Sequence, residues 1–259
     1  MVTSMLSDRL AELQALDPAP NALKDFLQAI PCLPLFHRLR GPFRSSEPVL
    51  EPAGPKSSRT ALGTGECVFF SIGVAAYVTP PVVLAFGPMQ DVRPGRISAP
   101  WDTRGLKVIG CDEENQARLI AEYSIAAPDD EEYLAHYLGR CFDHLHHWLE
   151  GRPPTGSDVL GVLEALKRNP GDDVYPMTTP EARYKRAVEL PSGLLLAAFA
   201  DADYPVGRPD EEEWGKTYRI LERYLDDRFV RLRRRVGVTD IRSEAYRFVR
   251  DHLEGEGLR

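Results

Sequence analysis

The chain has 259 residues, 43% of them hydrophobic and 27% charged, with a formal net charge of −7 at neutral pH. That length and composition suit a globular protein of one large domain or two ordinary ones, and the acidic balance excludes nonspecific nucleic-acid binding by the whole molecule while leaving room for a local basic patch. The longest apolar stretches, PPVVLAF and LPSGLLLAAFA, fall well short of the ~20 residues of a membrane span.

The N-terminus, MVTSMLSDRLAEL, mixes charges among its leucines and does not read as a secretory signal. A cytoplasmic protein without membrane contact is expected. Four separated cysteines, Cys32, Cys67, Cys111 and Cys141, form no CxxC pair, which argues for reduced thiols rather than a zinc ribbon or a disulfide scaffold.

Leu6, Leu10 and Leu13, then Leu23, Phe26, Leu27 and Ile30, repeat at helical spacing and predict two short helices. Pro31 and Pro34 end helix formation, and LPLFHRL follows as a strand. Residues 41–66 are rich in Pro, Gly and Ser and read as a long excursion of the kind that often carries function. CVFFS, VVLAF, LKVIG, ARLIAEYSI, EARYKRAVEL and GLLLAAF are strand candidates. Between them EEYLAHYLGRCFDHLHHWLEG predicts one long helix, with Leu134, Leu138, Cys141, Phe142, Leu145, Trp148 and Leu149 on a single stripe. SDVLGVLEALKRNPG predicts another, capped by Ser157. Trp214, Tyr218, Leu221, Leu225, Phe229 and Leu232 predict a five-turn helix, and RSEAYRFVRDHL a last short one. Strands in the middle and helices at both ends, without βαβ alternation, give an α+β fold.

Three polar residues stand at predicted strand ends: His37 in LPLFHRLR, Ser71 closing CVFFS with Tyr77 just beyond it, and Glu181 opening EARYKRAVEL. Each also has a plain structural reading, as an edge histidine, a packing aromatic or an exposed strand opener. Arg38 and Arg40 either pair with nearby acids or bind a pyrophosphate. CFDHLHHW invites a metal reading, but only His144 and His147 share a helical face and no carboxylate completes a ligand set, so no metal is assigned. The run DDRFVRLRRRVG spreads its arginines around the predicted helix and reads as a solvated exterior.

In order and spacing, LFH, LGTGECVFFS, VAAY and the late glutamate resemble the ADP-ribosyltransferase superfamily, in the His-Tyr-Glu branch of poly(ADP-ribose) polymerases and diphtheria toxin. The resemblance covers residues 33–78 and 178–200. It implies a split mixed β-sheet core over residues 31–203, with N-terminal helices over 1–30 and a C-terminal helical extension over 204–259. It also implies NAD as substrate: His37 on the adenosine-side ribose or the nicotinamide end, Ser71 bonding the nicotinamide amide, Tyr77 stacking on its ring, and Glu181 stabilising the oxocarbenium as the N-glycosidic bond breaks. Arg38, by its guanidinium chemistry, is the candidate contact to the pyrophosphate. Arg38 stands where the family usually has glycine, and Thr179 where arginine-modifying relatives carry an acid or amide, so the macromolecular acceptor is unassigned. Two other readings remain at this stage: a noncatalytic interaction module of a bacterial conflict or regulatory system, and a metal-dependent hydrolase built on His144 and His147.

Overall fold

The structure, a computed structural model, describes residues 20–39, 41–44, 49–50, 67–73, 82–101, 114, 118, 120–121, 123–152, 179–185, 188–189, 194–232 and 241–258. Tyr77, Arg40, the leucines of the first predicted helix, LKVIG and SDVLGVLEALKRNPG lie outside the described residues. Those described form an α+β fold around a mixed sheet of eight strands: β1 (Pro34–Leu39), β3 (Val68–Ile72), β4 (Val82–Pro88), β5 (Ile97–Ala99), β6 (Ile125–Ala126), β7 (Glu181–Tyr184), β9 (Leu195–Asp201) and β10 (Phe229–Leu232). Their order is β10-β9-β4-β1-β3-β7-β5-β6, and every pairing is antiparallel except β10 with β9. Hydrogen bonding runs unbroken across these strands, so the split expected in the sheet is not seen in the ladder; β2 (Val49–Leu50) and β8 (Val188–Glu189) form a separate two-stranded ribbon.

The middle of the sheet is where the sequence is most uniformly apolar. VVLAFG in β4 is buried at all six positions, as a strand covered on both faces must be. On one face lie Leu35, Phe70, Ile72 and Phe86, facing helix α1 (Pro20–Ala29), helix α2 (Asp129–Cys141) and the short helix α3 (Leu145–Leu149). α1 can approach α2 closely because position 139 is glycine: a Cβ there would stand 3.2 Å from the Leu23 Cα. On the other face Phe36 and Phe199 meet Phe248 of helix α5 (Ile241–Gly255) at 6.5 and 5.8 Å. Helix α4 (Glu211–Leu225) is tied to the end of β9 by the Tyr218 hydroxyl, which donates to the carbonyls of Asp201 and Tyr204.

Four expectations are corrected. The long helix 131–151 is two helices, because Phe142 is extended (φ −136°, ψ 136°) and the Asp-His pair after it favours helix less than the leucine-rich turns on either side. Among its described residues ARLIAEYSI is helical at Arg118, Ile120, Ala121 and Tyr123, with strand at Ile125–Ala126; the Ser124 hydroxyl donates back to the Ile120 carbonyl. EARYKRAVEL is two strands belonging to two sheets. The five-turn helix stops at Leu225, where Asp226 takes φ 50°, and Phe229–Leu232 becomes an edge strand parallel to β9. Residues 204–259 are therefore not a helical extension alone. Arg231 sits on that strand, paired with Glu222, while Arg233, Arg234 and Arg235 lie outside the described residues. Among the described residues, no helix is long and apolar enough to cross a membrane.

Candidate functional site

Side chains alternate faces along a strand, and directly opposed residues on paired strands share a face. The register sets Phe36 opposite Ser71, Ser71 opposite Glu181, and Glu181 opposite Ala99. Ser71 and Glu181 are therefore direct cross-strand neighbours, with Cβ atoms about 4.5–5.5 Å apart. Two further hydrogen bonds fix this end of the sheet: the Ile72 amide donates to the Pro180 carbonyl at 2.9 Å, and the Gly73 amide to the Pro34 carbonyl at 3.0 Å. Gly73 then turns the chain at φ 74°, under the Trp148 ring. Only glycine takes that conformation readily.

The serine side of β3 is its open side. Phe69 and Ser71 are half-buried, whereas Val68, Phe70 and Ile72 are buried. Glu181 is 5% exposed and Arg183, two residues on and on the same face, 6%. Arg183 donates to the Ser124 hydroxyl. Arg38 also takes this face, two residues from Phe36 and registered with Val83. Sequence reasoning missed Arg183 and Ser124; the period-2 spacing of Glu181 and Arg183 was the available signal.

His37 does not join the row. It points to the opposite face, where its ring lies 5.4 Å from Phe70 and its Nδ1–H donates to the Phe69 carbonyl at 2.8 Å. The reason is the one-residue step from Phe36, which inverts the side chain. Phe70 in turn meets Phe86 and Tyr184 edge-on, at 5.3 and 5.4 Å. The expected grouping of His37 with Ser71 and Glu181 is thus corrected: the serine and the acid stand together, with Arg38 nearby, and the histidine stands behind them. Tyr77 lies outside the described residues.

Behind the sheet is a buried ion network. Arg96 makes two hydrogen bonds to Asp130 (2.7 and 2.8 Å) and one to Glu131 (2.8 Å), and donates to the Met89 carbonyl. Ser98 donates to Asp130 at 2.5 Å, and Arg93 grips Glu131 with two bonds at 2.9 and 2.7 Å. Burial alone would raise the Glu131 pKa, but hydrogen bonds from Arg93 and Arg96 outweigh it and hold the carboxyl below its ordinary value of 4.5. Burial likewise opposes the Arg96 charge, yet its bonds to Asp130 keep its pKa above the usual guanidinium range.

His144, His146 and His147 cluster on and beside α3, with ring centroids 4.3 to 5.3 Å apart. Among the described residues, no group of three or more histidine, cysteine or acidic side chains is arranged to hold a metal ion. Burial and the neighbouring His146 and Arg152 lower the His147 pKa.

A carboxylate in a nearly dry site, beside a hydroxyl that can both donate and accept, can stabilise positive charge developing on a bound sugar while the hydroxyl orients an amide. Compared with known proteins, the chain matches no protein-family model and no curated protein sequence.

Proposed function

We propose that the chain is an ADP-ribosyltransferase-type enzyme that cleaves the nicotinamide N-glycosidic bond of NAD, passing ADP-ribose to a macromolecular acceptor or to water. The observation that carries this reading is the cross-strand pair Ser71 and Glu181, which brings together residues 110 positions apart at one end of one face. In this scheme Glu181 stabilises the oxocarbenium at the nicotinamide ribose and Ser71 hydrogen-bonds the carboxamide. Arg38 meets the phosphates, for which a guanidinium fork is well shaped. Nicotinamide leaves as the neutral base, and the acceptor or water supplies the nucleophile and loses a proton. Incubation of the chain with NAD, following nicotinamide by chromatography and the melting temperature alongside, tests the reading. Nicotinamide release with NAD-dependent stabilisation supports it; an inert chain that NAD does not stabilise overturns it.

A second reading, a noncatalytic interaction module, is favoured by one observation: His37 is engaged with the main chain behind the sheet. On that reading NAD leaves the melting temperature unchanged and no nicotinamide appears, while the chain still folds cooperatively.

A further inference from the structure

The two ends of α2 treat buried arginine chemistry in opposite ways. At its start, the Arg96 side chain is wholly buried and is met by the Asp130 and Glu131 carboxylates and the Met89 carbonyl. In its last turn Arg140 is half-buried, and its Nε and Nη1 atoms are shielded from solvent without a hydrogen-bond partner among the described residues. One turn earlier His136, 7% exposed, has an equally shielded Nδ1 without a partner, while its Nε2 faces the Glu132 carboxylate at 3.8 Å. Positions 136 and 137 each lie about one turn before 140, at the i,i+4 and i,i+3 spacings that make helix-surface neighbours. Against the Tyr137 ring, at 6.1 Å, packs Trp101, which is 0% exposed and whose indole N–H also lacks an acceptor.

Interiors pair nearly all their buried polar groups, and donor atoms shielded from water without an acceptor are costly to keep. Arg140 as a whole is half-buried, and its shielded Nε and Nη1 are the atoms in want of a partner. Arginine and tryptophan side chains only donate. What this face lacks is therefore an acceptor, and the guanidinium calls for a negative one. The C-terminal end of the helix dipole favours a cation here, but it leaves Nε and Nη1 without an acceptor. Tyr137 and Tyr123, the latter 4.7 Å from Trp101, give the neighbourhood aromatic walls.

We propose that this face of α2 holds an oxyanion, either phosphate or the carboxylate of a small ligand, on the Arg140 guanidinium, with the Trp101 indole and His136 as neighbouring donors. The site is separate from the Ser71–Glu181 row. α2 meets the sheet where Asp130 accepts from Ser98, whose register partner Ala182 faces away from Glu181. The proposal stands whether or not the chain uses NAD.

The test uses the full chain in chloride buffer of constant ionic strength, titrated separately with sodium phosphate and sodium acetate and followed by calorimetry and thermal melting. Saturable heat and a melting temperature raised by about 2–4 °C at saturation are expected with at least one anion; phosphate alone assigns phosphate, and acetate alone assigns a carboxylate. Arg140→Met should weaken binding about tenfold or more while melting no lower than wild type without the anion, because it removes an unpaired charge. Trp101→Phe should weaken binding a few-fold. Arg140→Lys, which keeps the charge and loses the fork, should also bind more weakly. No saturation with either anion, unchanged affinity in the arginine variants, or an Arg140→Met chain that melts well below wild type in chloride would each overturn the proposal.

Discussion

The two faces of β1, β3 and β7 do different work with similar residues. Behind the sheet, His37 and the Arg96 network are engaged by carbonyls, aromatic rings and acids: His37 bonds the Phe69 carbonyl, and Arg96 meets Asp130, Glu131 and the Met89 carbonyl. In front, Ser71 and Glu181 stand side by side at the more open end of β3, with Arg38 and Arg183 on the same face. Polar groups behind the sheet hold elements together; polar groups in front are placed where a ligand could reach a half-buried serine. A residue's type says little about which role it plays, and the parity of its position in the strand says a good deal.

Variants can sharpen or break that contrast. The largest effect is expected behind the sheet. Arg96→Met leaves Asp130 buried without its cation and Glu131 with Arg93 alone, and should destabilise the chain by about 3–5 kcal/mol in denaturant unfolding. If the loss is under about 1 kcal/mol, the network is not structural. Gly73→Val forces a β-branched residue into φ 74° with its Cβ 2.6 Å from the Trp148 ring, and should cost about 2–3 kcal/mol and disturb the adjacent Ser71; an unchanged melting temperature would show that the turn yields.

A smaller effect is expected at His37. His37→Ala removes one hydrogen bond to a carbonyl and should cost about 1 kcal/mol, whereas a loss of NAD binding with stability intact would return His37 to the front site. Smallest is the acid limb. Because the folded-state pKa of Glu131 lies below its ordinary 4.5, its contribution is complete above that pH and is lost as pH falls through the folded value. Glu131→Gln should therefore flatten the fall in melting temperature below about pH 4.5. An unaltered acid limb would contradict the assignment.

What the sequence made legible follows the strength of local signals. VVLAF and GLLLAAF could only be interior strands, and they are β4 and β9. The apolar stripe on α2 was also plain, but it continues in register through Leu145 and Trp148, so hydrophobic spacing alone could not show the break at Phe142. Phe229 and Leu232 sit three apart, which suits a helix. As strand residues Phe229 and Leu232 pair with Ala198 and Asp201, a long-range contact that no local pattern announces. ARLIAEYSI failed because Ala, Leu, Arg and Glu are strong helix formers, and that propensity prevailed over the short apolar run. At the candidate site, Ser71 and Glu181 were each visible at strand ends, but their pairing depends on strand order and register. His37 was misplaced by a single residue of phase.

The most direct measurement of the central claim compares nicotinamide release from NAD by wild type, Glu181→Gln and His37→Ala at equal folded concentration. The account predicts that Glu181→Gln loses about 10²–10³-fold in rate, while His37→Ala stays within about threefold of wild type. Equal rates in wild type and Glu181→Gln, or a collapse confined to His37→Ala, would contradict it.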